Sequence, residues 1–213
     1  MKATKYLPKL EKSALFTSNR YRDSMQQWHL YDDDTLNQKM SHAVIGLLNL
    51  LSNFNKAFYL SCARSPIGRS KSRHITPAPY VDDNSSLGII ILKYKPNASR
   101  RSDGSWSKRD EPSRYEIEHL EYGLISINSP KINDLYIVQG MNLGIHKDLP
   151  VFRNYYAHKN AKTQRSARLI LPQYLIPDMH PTKALTQVPR TRSIPLILDW
   201  LDDFDITVCT LCS

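Results

Sequence analysis

Apolar residues recur at helical spacing near both ends of the chain, and the pattern changes in between. Leu36, Met40, Val44, Leu47, Leu48, Leu51, Phe54 and Phe58 follow at intervals of three and four. That is one buried stripe on a long helix, expected to run to about Ala63. Asp32-Asp33-Asp34-Thr35 stands at its start. Acidic side chains there accept free backbone N–H groups and suit the positive end of the helix dipole. Upstream, residues 8–30 are loosely amphipathic, with Leu10, Leu15, Met25 and Trp28 among polar neighbours.

Beyond Ser65-Pro66 the periodicity stops. Arg64 to Pro79 is polar, basic and proline-containing and reads as loop. Leu87-Gly88-Ile89-Ile90-Ile91-Leu92-Lys93-Tyr94 is β-branched and bounded by turn residues, which predicts a strand. Pro96 to Pro112 reads as a second loop. Arg114 to Asn128 fits either a partner strand or a helix, and a hairpin insert over roughly 80–128 is the expectation. Helix then returns. Ser129-Pro130 opens a segment to about Gly140. Asp148-Leu149-Pro150 opens another through His158. Pro195 opens a last helix, Leu196 to Leu211, with Ile197, Leu198, Leu201, Phe204 and Val208 inward. The sum is a mainly α, antiparallel helical bundle with a small β-hairpin insert.

Composition adds limits. The 213 residues are enough for a single domain, 1–213, carrying an insert over 66–128. No apolar run approaches the roughly 20 residues of a membrane span, and the first residues lack the apolar core of a signal peptide. Three cysteines are odd in number and fit a reducing compartment. A soluble, cytoplasmic protein without membrane partners is therefore expected. The net charge of +9 favours polyanions. Residues 64–114 hold 11 basic and 5 acidic side chains, and residues 147–192 hold 9 and 2. These two blocks carry more than the whole excess.

Most familiar chemistries are missing. There is no phosphate-binding glycine loop and no nucleophile elbow. Cys209-Thr210-Leu211-Cys212 lacks the second ligand pair of a structural zinc site and reads as buried, reduced helix cysteines. Asp32-Asp33-Asp34 reads as a helix cap. Asp199, Asp202, Asp203 and Asp205 read as a solvated helix face. No metal site and no cofactor are expected.

Phe152-Arg153-Asn154-Tyr155-Tyr156-Ala157-His158-Lys159-Asn160 is different. At about 100° per residue, Asn154 and His158 share a helix face and Arg153 lies beside it. Lys159, Lys162, Arg165 and Arg168 follow. The set suits RNA cleavage without metal. An imidazole can take a proton from a 2′-hydroxyl or give one to the leaving oxygen. A guanidinium can hold charge on the phosphorane, and an amide can orient either partner. The same spacing recurs from Arg69 to His74 and from Arg114 to His119. Only Arg153 is followed directly by Asn in an aromatic, basic setting.

Arg153-Asn154-Tyr155-Tyr156-Ala157-His158 resembles the R-N-x-x-x-H form of the R-x4–6-H motif of HEPN (higher eukaryotes and prokaryotes nucleotide-binding) domains. These are all-helical modules, many of them metal-independent ribonucleases of toxin–antitoxin, abortive-infection and CRISPR-linked defence systems. The resemblance is close over 151–160. The stretch 66–128 matches nothing in the family's pattern. The resemblance implies catalytic roles for Arg153, Asn154 and His158 and a homodimer whose two motifs meet in one composite site. Lys159, Lys162, Arg165 and Arg168 would bind RNA, with Tyr155 or Tyr156 stacking on a base. It further implies products with 2′,3′-cyclic phosphate ends and an inhibitory antitoxin or defence-complex partner. The alternative is a non-catalytic RNA- or nucleotide-binding HEPN module that serves as a regulatory subunit.

Overall fold

The computed structural model describes residues 6–64, 82–107, 109–111, 116–190 and 192–213. The Arg69-to-His74 pair, Arg114 and most of the loop expected after Arg64 lie outside them. Ten α-helices are found among the described residues: α1 (Tyr6–Met25), α2 (Asp33–Arg64), α3 (Asp83–Tyr94), α4 (Ile117–Ser126), α5 (Ile132–Gly140), α6 (Gly144–Lys147), α7 (Leu149–His158), α8 (Ala161–Arg168), α9 (Pro181–Leu185) and α10 (Leu196–Cys212). Single turns of 3₁₀ helix occur at Trp28–Leu30 and Leu171–Tyr174. No described residue is in a strand. No helix among these residues is long and apolar enough to cross a membrane.

The long second helix matches the stripe read from the sequence. Every one of the eight stripe residues is buried. Asp32 caps the helix as expected, its carboxylate accepting from Thr35 N–H at 2.7 Å, and that bond holds its pKa below the usual range.

The β-hairpin over 80–128 is corrected. Its two halves are α3 and α4. Asp82 fixes the start of α3, accepting from Ser85 N–H at 2.8 Å. Leu87, Gly88, Ile90 and Ile91 are buried at helical spacing. Burial of that stripe overrides the strand preference of three consecutive isoleucines. In α4, His119, Leu120, Gly123 and Leu124 are buried.

The described residues fall into two compact units. The first lies within 1–12, 51–141 and 210–213. Its core joins Phe54, Phe58 and Tyr59 of α2 to α3, α4 and α5, with Tyr59 donating to the Ser86 carbonyl at 2.8 Å. Gly123 lets helices approach closely here. A Cβ would come within 2.8 Å of Ile90 Cδ1 and 2.9 Å of Tyr59 Cε2. The second unit lies within 13–50 and 142–209. Its core is built around Trp200, Phe204, Phe152, Met40 and Leu47, all at most 1% exposed. Phe152 meets Trp200 edge-on, ring centroids 5.2 Å apart, an arrangement that suits their quadrupoles. All the sequence-derived site residues belong to this second unit.

Candidate active site

Helix α7 is amphipathic in a specific way. Leu149, Phe152, Tyr155 and Tyr156 are buried. Arg153, Asn154, Ala157 and His158 are exposed. The motif side chains therefore stand on the outer side of a helix whose inner side is locked into the core. Arg153 Nη1 lies 3.4 Å from Asn154 Oδ1. Among the described residues, His158 has no side-chain hydrogen bond. The guanidinium and the amide are thus brought together, and the imidazole stands clear one turn on.

The start of α7 falls where the sequence placed it, but its chemistry differs. The Asp148 carboxylate makes no cap bond to the helix. It accepts instead from Tyr174 Oη at 2.6 Å and from Gln173 Nε2 at 2.7 Å. Trp200 Nε1 donates to the same Tyr174 oxygen at 3.2 Å. Burial, then the Asp148 hydrogen bond, push the Tyr174 phenol far above its ordinary pKa. Gly144 makes room for this cluster, since a Cβ there would lie 2.7 Å from Trp200 Nε1.

At its other end α7 stops abruptly. Lys159 is left-handed, φ 43°, and its N–H returns to the Tyr155 carbonyl at 2.7 Å. Asn160 and Thr163 then form a reciprocal capping box that opens α8. Ala167 is the one buried residue of α8. Lys162, Arg165 and Arg168 are exposed along it. They are not equivalent. Arg168 is held by both oxygens of Asp178, with Nε to Oδ1 at 2.5 Å. Lys159, Lys162 and Arg165 have no acidic partner among the described residues. Gln164, Arg165, Arg168, Leu169 and Pro172 line an open cleft of about 610 Å³ beside them.

Tyr155 and Tyr156 do not fit the stacking role expected of one of them. They are only 6% and 4% exposed. Tyr155 Oη lies 3.0 Å from His180 Nε2, and Tyr156 donates to Thr182 Oγ1 at 3.0 Å. Thr182 in turn donates to Asn37 Oδ1 at 3.0 Å. Burial pushes both tyrosine pKa values up. Their contribution is to fix α7 against α9 and the first turns of α2. His180 is the site residue without a sequence signal. It caps α9, accepting at Nδ1 from Thr182 N–H at 3.3 Å. Burial, then Lys183, lower its pKa.

The remaining sequence candidates separate as well. Asp199 and Asp203 are 5% and 3% exposed, so the solvated-face reading fails for them. Asp199 pairs with Arg192 at 3.2 Å, and Asp203 accepts from Ile145 N–H at 3.2 Å. Asp202 and Asp205 both pair with Arg22. Of the C-x-x-C thiols, Cys212 is buried as expected and Cys209 is exposed. Among the described residues no three His, Cys, Asp or Glu side chains are grouped to hold a metal ion.

No protein-family model matches the sequence, and comparison with curated proteins and with solved structures finds no match.

Proposed function

We propose that this protein is a metal-independent endoribonuclease of a toxin–antitoxin or anti-phage defence system, built on a HEPN-like helical bundle. The observation that carries the reading is the split of α7. Its aromatic side anchors the helix, while Arg153, Asn154 and His158 stand exposed together on the other side. A structural arginine or histidine at these positions would be expected to hold a partner within the fold.

The mechanism follows from the groups present. One imidazole removes the proton of a 2′-hydroxyl as its oxygen attacks the adjacent phosphorus. The arginine steadies charge on the equatorial oxygens. A proton must also reach the departing 5′-oxygen. A single motif holds one imidazole. A two-fold dimer that apposes two motifs supplies a second, together with a second guanidinium. The products are a 2′,3′-cyclic phosphate and a 5′-hydroxyl. The exposed cations of α8 lie one capped turn beyond the motif, where they can hold flanking phosphates. Such an activity requires restraint in the cell, and an inhibitory protein partner belongs to the proposal.

The test is cleavage of single-stranded RNA in EDTA by wild type and by His158→Ala, with product ends analysed. Cleavage by wild type alone, leaving cyclic phosphates, is the expected result. Salt-dependent binding without cleavage by either protein would move the assignment to a non-catalytic RNA-binding module.

A further inference from the structure

A second open cleft, of about 430 Å³, lies where the first turns of α2 face α9. That volume is within the roughly 300–1,000 Å³ of small-molecule sites. Three features of its walls are unusual for a solvated surface. The first is the imidazole of His180. Thr182 N–H donates to Nδ1, so the neutral ring carries its proton on Nε2 and donates it to Tyr155 Oη. Both ring nitrogens are used within the fold while the residue stays exposed. What remains for a ligand is a rigidly held aromatic face.

The second feature is Asn37. Its Oδ1 is taken by the Thr182 hydroxyl at 3.0 Å. With Oδ1 so engaged, its NH₂ is a donor with no partner among the described residues. The third is Asp34, whose carboxylate also lines the cleft with no cationic partner among the described residues, whereas Asp33 is held by Lys183 at 3.1 Å. Asp34 and Asn37 are three apart on one helix and therefore neighbours, with Cβ atoms about 5–6 Å apart. A pure acceptor and a pure donor thus stand side by side, next to a plate on which a flat ring can stack.

Among the RNA bases this pattern has one good match. The Watson–Crick edge of guanine carries two adjacent donors, N1–H and the N2 amine, which a carboxylate accepts together. The O6 acceptor is next along that edge, where an amide NH₂ can donate. Adenine and cytosine present one amino donor beside ring acceptors, and uracil has a single donor between two acceptors. We infer that this cleft is a guanine-binding subsite: Asp34 accepts from N1–H and N2–H, Asn37 donates to O6, and His180 stacks on the ring. The subsite is mechanically tied to the motif. Its stacking residue bonds to Tyr155, and His158 follows after about 4.5 Å of rise along the same helix. The inference takes its substrate, single-stranded RNA, from the ribonuclease reading and adds that an unpaired guanosine is held beside the cut.

Inosine differs from guanosine only by lacking the N2 amine, so it isolates the Asp34 contact. Two measurements keep this inference separate from the reading it rests on. One is binding of guanosine and inosine 5′-monophosphates to the full chain. The other is cleavage of paired RNAs in which a single guanosine is replaced by inosine. The expected result is about tenfold preference for guanosine in both. Asp34→Asn should bring the ratio near unity, whereas Asn37→Asp, which places an acceptor opposite the O6 that both nucleosides carry, should weaken both and leave the ratio in place. Cleavage that is equal on the two RNAs would overturn the subsite and leave the ribonuclease standing. Asp34-dependent preference for the guanosine nucleotide, with no RNA cut, would leave the subsite standing and overturn the ribonuclease. Neither cleavage nor preference would remove both.

Discussion

Tyr155 Oη and His180 Nε2 are 3.0 Å apart although the residues lie 25 positions apart in the chain. The bond ties the motif helix to the cap of α9. It also gives the two side chains a shared free energy that can be measured. Tyr155→Phe keeps the packed ring and removes the acceptor, at a cost of about 1 kcal/mol. His180→Ala removes the same bond and the cap of α9, at a cost of about 0.5–2 kcal/mol. The double variant should cost less than the two together, because one bond is removed in both. Strictly additive losses in urea unfolding would show that the bond contributes nothing in solution.

The two sides of α7 should respond oppositely to truncation. Phe152 is fully buried and meets Trp200 edge-on. Phe152→Ala is expected to cost about 3–5 kcal/mol. Arg153→Ala and His158→Ala remove exposed side chains and should each change stability by no more than about 0.5 kcal/mol. Unfolding midpoints for the three variants check this. A large loss in His158→Ala would make that imidazole a structural element and withdraw it from the proposed chemistry.

What can be read from the sequence follows from where the information sits. The second helix is legible because its stripe, cap and burial are all local, from Asp32 through Phe58. The start of α7 is legible from Asp148-Leu149-Pro150, and the cations after the motif from the sequence itself. The third helix is not. Ile89, Ile90 and Ile91 favour a strand locally, and the decision lies in contacts from elsewhere, such as Ile90 and Tyr59 closing on Gly123. Asp148 shows the same limit at one residue. Its position announces a helix start, but its partner is Tyr174, 26 residues away. The link from Tyr155 to His180 and the chain from Tyr156 through Thr182 to Asn37 have no sequence signal at all. They decide which tyrosines are core and which surface is left for a ligand.

The cations of α8 should contribute unequally to RNA binding. Lys162 and Arg165 are exposed without acidic partners among the described residues, whereas Asp178 neutralises Arg168 on two of its nitrogens. Lys162→Ala or Arg165→Ala should weaken RNA binding. Each should also lower the salt-dependence slope by about 0.7 for every single-strand phosphate that the removed cation had neutralised. Arg168→Ala should change the slope less. Asp178→Asn should strengthen binding and steepen the slope, because it releases a guanidinium to the cleft. Titrations of single-stranded RNA at several salt concentrations read all four effects. Weaker binding by Asp178→Asn would place RNA elsewhere on the protein.

A buried base and a buried acid of the second unit, His146 and Asp203, should make opposing contributions to stability under mild acid. His146 Nε2 lies 3.2 Å from Thr207 Oγ1, whose proton is already donated to the Asp203 carbonyl at 2.8 Å. The ring is therefore the Nε2–H tautomer, and its buried Nδ1 has no partner among the described residues. Burial holds its pKa down to about 4, from an ordinary 6.5. Between those values the unfolded chain binds a proton that the native ring refuses, so this contribution falls away as pH drops from about 6.5 towards 4. Asp203 works in reverse. Burial raises it from 3.8 to about 6. The native carboxyl keeps a proton that the unfolded chain has released, so its contribution falls away as pH rises from about 4 towards 6. Each slope is at most about 1.4 kcal/mol per pH unit. Relative to wild type, His146→Gln should lose stability as pH rises through this window, because the His146 contribution that grows with pH is gone. Asp203→Asn should gain stability over the same range. Urea midpoints from about pH 4 to about pH 6.5 measure both differences. A difference that stays flat with pH for either variant would mean that the group it removes keeps its ordinary titration in the folded protein.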